Sequence, residues 1–395
     1  MKIFMLRSRC RNLLLRIYSL CFLLIGLLPR NKNLVMFESY SGKQYSCNPR
    51  AIFEYLQDNK KKYHYKLVWS VDKRNEELFE KLGVDYITRF SIRWLWYMAT
   101  AKYWVSNSRL PLWIPKPAQT LYIQTWHGTP LKKLANDMEQ VHMPGTTTID
   151  YKRNFIKESN KWDYLISPNS YSTSIFKKAF QYKKNIIETG YPRNDFLYKY
   201  NNESAKNDIL KKIKLPNHKK IILYAPTWRD DEFYSIGHYK FSLPLELEQM
   251  KKALGDSCVI LLRMHYLVSE NFHLDNYNDF VVDVSKYEDI RELYLISDML
   301  ITDYSSVFFD FANLKKPIIF FTYDLLKYRD QLRGFYFNIT EEAPGVLVQD
   351  SDSLIREIKK MLHNPILEVS YDRFYERFCS LEDGFASKRV VEQIF

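Results

Sequence analysis

The sequence predicts an α/β protein built of two Rossmann-like, doubly wound domains, with a membrane-associating helix at its N-terminus. Three observations carry this expectation. Short apolar runs alternate with longer helical patterns from residue 34 onward, a polar Lys/Asn-rich stretch interrupts them near residue 210, and the first 32 residues combine basic and apolar character. At ~100–200 residues per domain, 395 residues accommodate two cores. With 46% apolar and 26% charged residues, the composition excludes a disordered or collagen-like chain. No repeat at a period of 20–50 residues is visible, which excludes a solenoid. The five cysteines (Cys10, Cys21, Cys47, Cys258 and Cys379) are odd in number and form no CxxC. That pattern fits a reducing compartment without a disulfide framework or structural zinc.

The net charge is +12, and Lys2, Arg7, Arg9, Arg11, Arg16, Arg30 and Lys32 supply seven positive charges before the first acid, Glu38, leaving +5 for the remainder. Ile17 to Leu28 is uncharged and closed by Pro29 and Arg30. Twelve helical residues at ~1.5 Å each give about 18 Å, well short of a ~30 Å hydrocarbon core. No small-x-small cleavage site comes after it, so a secretory signal is disfavoured. The expectation for residues 1–32 is a helix lying in the interface of an anionic membrane, with the Leu, Ile and Phe side chains in lipid. A first helix buried on the core is the alternative.

Leu34–Phe37, Lys66–Trp69, Tyr103–Val105, Leu121–Gln124, Tyr164–Ile166 and Ile186–Glu188 read as buried strands, with helices such as Pro49–Gln57 and Glu76–Leu82 between them. Strands alternating with helices imply parallel sheets. Lys199–Lys220 reads as the linker, so the expected domains are 33–205 and 206–395. A second series lies beyond it: Ile221–Tyr224, Val259–Leu262, Phe280–Val282, Met299–Thr302 and Ile318–Phe321. Ligands of open α/β sheets sit at the carboxyl ends of the strands, and that is where five motifs fall.

In Gln124-Thr-Trp-His-Gly-Thr-Pro-Leu131, a strand ends and His127 and Gly128 form a turn. Thr129 reads as an N-cap with Pro130 at the first helical position. An imidazole beside a helix N-terminus suits a general base next to an anion, against the alternative of a structural turn histidine. In Thr302-Asp-Tyr-Ser-Ser-Val-Phe-Phe-Asp310, Ser305 and Ser306 precede a helical run and suit a phosphate. Asp310, one turn later, is placed to meet a ribose or polyol hydroxyl; an N-cap serine and an exposed acid are the plainer readings. Arg263 and His265 are two apart on an extended segment and share a face, able to neutralise a leaving phosphate. Pro226 and Thr227 come after a strand and could present hydrogen-bonding groups to a base. Gly190 and Pro192 make a turn that could present Arg193 towards a phosphate, but taken alone the motif reads as a surface turn with a solvated arginine. Asp350-Ser-Asp352 reads as a helix cap rather than a metal site, and no GxxxxGK[ST], GxGxxG, HExxH or GxSxG occurs. No metal or cofactor is called for.

Together QTWHGTPLKK, TGYPRND, YAPTWRDD, LLRMHY and SDMLITDYSSVFFDF resemble the CDP-glycerol glycerophosphotransferase family of wall teichoic acid synthesis, from about Leu34 to the C-terminal SLEDGFAS. Within the family the likeness reads as closest to the short, primase-type teichoic acid glycerol-phosphate transferases, without the extra N-terminal region of the long polymerases. The resemblance implies a glycosyltransferase-B-type fold and a peripheral location on the cytoplasmic face of the cell membrane. It implies transfer of glycerol phosphate from CDP-glycerol to an undecaprenyl-linked disaccharide, with or without glycerol phosphate, releasing CMP. Residue by residue, it makes His127 the general base, with His265 as a second catalytic group. His127, Gly128, Thr129, Pro130, Leu131, Arg193, Pro226, Thr227, Arg263, Met264, His265, Ser305, Ser306 and Asp310 become the CDP-glycerol-binding set. Tyr266 departs from the Pro often found after the second histidine.

Other readings are a CDP-ribitol-dependent transferase or a polymerase of the same family, a nucleotide-sugar glycosyltransferase, and a non-catalytic basic protein binding membrane or nucleic acid. Nucleic acid is disfavoured, because the densest basic run is interleaved with apolar residues and no recognition motif appears.

Overall fold

The computed structural model describes residues 2–143, 145–215, 219–229, 231–235, 238–239, 243–264 and 274–395. Two parallel sheets organise it. The first contains β1 (Asn31–Glu38), β2 (Lys66–Val71), β3 (Tyr86–Thr88), β4 (Ala101–Ser106), β5 (Leu121–Gln124), β6 (Tyr164–Ser167) and β7 (Asn185–Glu188), in the order β3-β2-β1-β4-β5-β6-β7. After β8 (Lys220–Tyr224) come two short antiparallel strands, β9 (Phe233–Ser235) and β10 (His238–Tyr239). The second sheet then adds β11 (Cys258–Leu262), β12 (Val281–Asp283), β13 (Met299–Thr302), β14 (Ile318–Phe321) and β15 (Val346–Val348), in the order β12-β11-β8-β13-β14-β15. In each sheet the order reverses beside the founding strand, at β1/β4 and at β8/β13. Such a reversal opens a crevice at the strands' carboxyl ends.

Both sheets are covered on both faces, which is why their strands read as continuous apolar runs. Along β1, Leu34 and Met36 join a cluster with Trp94 and Trp104, while Val35 and Phe37 face Phe53 and Trp69. Along β8, Ile221 and Leu223 pack with Phe308 and Phe311, while Ile222 and Tyr224 meet Ile260 and Leu354. The strands read from sequence are present, and β3 and β15 join them at the sheet edges. Both are three residues long and only partly buried, so they leave little hydrophobic signal.

Three expectations about organisation change. The Lys199–Lys220 stretch contains a helix, Glu203–Ile213, capped by the Asn202 side chain and docked on the second domain through Ile209 and a Lys212–Glu292 ion pair of 2.9 Å. Its polar composition belongs to an exposed helix face. Residues 206–395 do not all stay together either. The last helix, Ala386–Ile394, returns to the first sheet, where Val390, Val391 and Ile394 are buried and Tyr65 donates to the Phe395 carbonyl at 2.7 Å. Asp195 accepts from the Ala386 and Ser387 N–H groups, capping that helix from the interdomain turn.

The third change concerns the N-terminus. A helix runs from Lys2 to Ile25, and one face of it is docked. Phe22 is buried, edge-on to Trp94 and Trp104, and Tyr18 packs on Trp113 and donates to the Ser91 carbonyl. Arg30, expected at lipid head groups, instead donates to the carbonyls of Gly26 and Ala99. It thereby closes the carboxyl ends of this helix and of helix Ile92–Thr100, where a cation is favoured. The opposite face keeps Leu13, Leu14, Ile17, Leu20 and Leu24 exposed. Among the described residues no helix is long and apolar enough to cross a membrane.

Candidate active site

The chain leaves β5 through Thr125 and Trp126, whose φ of 51° is left-handed, and this sharp exit presents His127. His127 Nδ1 lies 2.7 Å from the Asn107 carbonyl. A carbonyl only accepts, so Nδ1 carries the proton and Nε2 is left as the acceptor that a general base needs. The ring stacks on Trp126 at 4.6 Å and meets Tyr40 edge-on at 5.7 Å. The residue is half-buried, and burial lowers the imidazole's pKa to about 4, with the charges of Arg193 and Arg109 pushing the same way. His127 is therefore neutral at pH 7.

Two asparagines that sequence reasoning does not single out set this geometry. Asn107, just past β4, accepts from the Tyr40 N–H at 2.8 Å and donates to Ser39 at 3.1 Å, fixing the carbonyl that orients His127. Asn48 donates to the carbonyls of Thr125 and Trp126, each at 3.1 Å, and accepts from the Arg193 N–H at 3.1 Å. Asn107 lies in the polar run Ser106-Asn-Ser-Arg109 and Asn48 between Cys47 and Pro49, and an asparagine in such a setting is a signal too common to act on.

The expected helix after His127 is not formed. Residues 125–134 run as an irregular strap, so Thr129 caps nothing and Pro130 opens no helix. The strap's polar backbone is satisfied by the other domain. Lys133 N–H donates to Gly334 and the Tyr336 N–H to Leu131, and the Leu131 side chain enters the second domain's core. Cross-domain pairing has overridden local cap chemistry.

The strap brings the two crevices together. A Cβ on Gly128 would lie 2.7 Å from Ser306 Oγ, so any larger residue would have to push the serine side chain aside. Ser306 precedes helix Val307–Phe311 and makes no capping bond with its side chain, and Ser305 beside it is half-buried. Across the second crevice, Thr227 donates its N–H to Asp303 at 2.8 Å, while its buried hydroxyl has no partner among the described residues. Pro226 is buried next to it. Arg229, which the motif reading passes over, is buried between Asp303 at 2.9 Å and Asp324 at 2.8 Å and locks the two crevice loops together. Arg263 gives one amino group to the carbonyls of Val284, Ser285 and Tyr287, and no carboxylate pairs with it among the described residues. Burial lowers its pKa from the ordinary arginine value.

Other expected site residues are engaged elsewhere. Arg193 and Asp310 form a buried ion pair at 2.8 Å, with Arg193 also on Cys47 Sγ and over the Tyr191 ring. They join the first domain's last turn to the second domain, rather than reaching singly for a phosphate and a hydroxyl. Gly190 makes that turn at φ 77°, against Glu382. Burial raises the Glu382 carboxyl to about 8 while it accepts from the Tyr191 N–H and the Asn194 amide. The Met264 side chain lies in the core. His265 and Tyr266 lie outside the described residues. Asp350 caps helix Ser351–His363 through the Ser353 N–H, as the sequence suggests. No group of three or more His, Cys, Asp or Glu placed to hold a metal ion occurs among the described residues.

Comparison with known proteins bears on this arrangement. Residues 20–395 match the family model for CDP-Glycerol:Poly(glycerophosphate) glycerophosphotransferase. The chain is 62% identical over 384 residues to the teichoic acid poly(glycerol phosphate) polymerase of Bacillus spizizenii (strain W23), covering 97% of each. It is 56% identical to the Bacillus subtilis (strain 168) protein of the same name, 98% of the chain matching 52% of that longer protein. The structure of the wall teichoic acid polymerase TagF superposes with a TM-score of 0.85 at 44% identity, covering 100% of this chain and 98% of that one. These matches favour a likeness to the polymerases over the primase type read from the sequence, since the teichoic acid glycerol-phosphate primase of Bacillus subtilis (strain 168) is 36% identical over 71% of the chain.

Proposed function

The chain belongs to the CDP-glycerol:poly(glycerophosphate) glycerophosphotransferase family, and from that premise we propose that it transfers glycerol phosphate from CDP-glycerol to the glycerol-phosphate end of a lipid-linked teichoic acid chain, repeatedly, releasing CMP. The observation that carries this reading is the contact of Gly128 with Ser306, which sets the His127 turn of one domain against the phosphate-type loop of the other. His127 Nε2 takes the proton of the acceptor's terminal hydroxyl. The hydroxyl oxygen forms a bond to the β-phosphorus of CDP-glycerol as the bond from that phosphorus to the bridging oxygen breaks, and the electron pair leaves with CMP. Ser305, Ser306 and the Thr227 hydroxyl hold the phosphates in register, and the Arg263 charge offsets the charge building on CMP. His265, adjacent in sequence to Met264, is a second candidate for that task. The Arg193–Asp310 pair positions the two domains.

Repeated addition is favoured because the polymerases give the higher identities. Single-unit transfer is the second reading, supported by 49% identity to the Staphylococcus aureus teichoic acid glycerol-phosphate transferase over 99% of the chain and 100% of that protein. Incubation with CDP-glycerol, CDP-ribitol and lipid-linked acceptors, with the products then weighed by mass, separates these. The expected result is a ladder of glycerol-phosphate additions with one CMP per unit. A single addition would establish the second reading, and failure to consume CDP-glycerol would contradict both.

The exposed leucines of the N-terminal helix, beside exposed Ile92 and Trp96, support a peripheral location on the cytoplasmic face of the membrane, where a lipid-linked acceptor is met. Replacing Leu13, Leu20 and Leu24 by Asp is expected to abolish flotation with anionic vesicles while leaving the thermal transition in place. Undiminished flotation would reject this location.

A further inference from the structure

A hollow of about 450 Å³ opens at the first sheet's crevice, lined by none of the residues assigned to the donor. Its walls include Ser41, next to the Tyr40 that touches His127, and Ser108, next to the Asn107 that orients His127. Two guanidinium groups face it, Arg89 and Arg109. Arg89 is paired with the buried Glu38 carboxylate at 2.9 Å. Arg109 has no carboxylate partner among the described residues; it lies over the rings of Tyr151 and Phe155, at 5.3 and 4.5 Å. The wall also carries an acid, Glu158, but it is occupied by the Leu110 N–H, the Tyr122 hydroxyl and Lys161, and burial raises its pKa, so it opposes an anion little.

The far rim is apolar, Leu110-Pro111-Leu112, and continues into Trp113. Trp113 also lines a second, mostly apolar hollow of about 250 Å³ with Leu15, Arg16, Ser19, Leu20 and Leu23 of the N-terminal helix. Apolar groove, cationic hollow and imidazole thus lie in sequence.

Resting on the transferase reading above, we propose that the hollow at Arg89 and Arg109 is the acceptor subsite, binding the phosphodiester of the acceptor's last polyol-phosphate unit while its terminal hydroxyl reaches His127. The guanidinium groups take the phosphate oxygens, which they match in charge and geometry. Ser41, Ser108 and Asn154 supply partners for the polyol hydroxyls. The lipid end leaves along the Trp113 groove.

The test compares wild type with Arg109→Gln, using a short-chain lipid disaccharide acceptor ending in glycerol phosphate and the same acceptor without it, with CDP-glycerol affinity read by calorimetry. Loss of a charge-assisted contact should raise KM for the phosphate-bearing acceptor at least about 10-fold. KM for the phosphate-free acceptor and the CDP-glycerol Kd should hardly move, and Arg109→Lys should restore part of the loss. An unchanged acceptor KM, an equal rise for both acceptors, or weakened CDP-glycerol binding would each overturn the proposal while leaving the transferase reading intact. A wild-type chain that leaves CDP-glycerol unused would overturn both.

Discussion

Replacing His127 by Ala is expected to lower kcat for glycerol-phosphate transfer by about 10²–10⁴-fold, the usual worth of a positioned general base, while CDP-glycerol binds nearly as before. The direction comes from the imidazole's hydrogen bond. With Nδ1–H spent on the Asn107 carbonyl, Nε2 has one function left, accepting a proton. The lowered pKa of about 4 makes a second expectation. Protonation removes the base, so the His127-dependent part of kcat/KM should stay level from pH 8 down to about pH 5 and fall below that. On the proposed mechanism Asn107, through its carbonyl, positions His127 for the same proton transfer. Steady-state kinetics across pH on wild type and variant measure both effects. Near-wild-type turnover of the variant would remove His127 from the chemistry.

Asp310→Ala should destabilise the folded chain by about 3–5 kcal/mol, because it strands the Arg193 guanidinium in a buried site. The two side chains are 9% and 10% exposed, so water cannot take over the charge. Burial opposes charging Arg193, and Asp310 more than offsets this, holding the guanidinium well above its usual range. Replacing both partners with apolar residues, Arg193→Met with Asp310→Leu, should recover most of the loss, since no lone charge then remains. Urea unfolding of wild type, the single variant and the double variant distinguishes this role from the ligand contact that the sequence suggests. A weaker CDP-glycerol affinity with unchanged unfolding in Asp310→Ala would restore Asp310 to the donor site.

The strands of both sheets are legible in the sequence because parallel strands buried on both faces are short apolar runs, as Ile221–Tyr224 and Met299–Thr302 show. The turn at His127 is legible for the same reason, being the abrupt end of such a run. The strap beyond it is not. Thr129-Pro130 carries a sound local signal for a helix start, but the backbone there pairs with residues two hundred positions away. No local pattern reports such pairing. Arg193 and Asp310 illustrate the same limit, because from sequence alone a charged residue at a cleft looks alike whether it awaits a ligand or meets another charge. In the N-terminal helix the basic and apolar halves dominate the pattern, whereas Tyr18 and Phe22, which dock it, are ordinary members of the apolar run. Arg109 stands alone after a strand, and its significance comes from the hollow it faces.

A crystal structure of His127→Ala soaked with CDP-glycerol is the sharpest single test, because transfer is slow enough in that variant for the donor to persist. The account predicts the pyrophosphate lodged beside the Gly128–Ser306 contact, with the Thr227 hydroxyl and Arg263 on the nucleotide side and the glycerol-bearing phosphorus facing the vacated imidazole position. Nucleotide density on either domain away from both loops would contradict it.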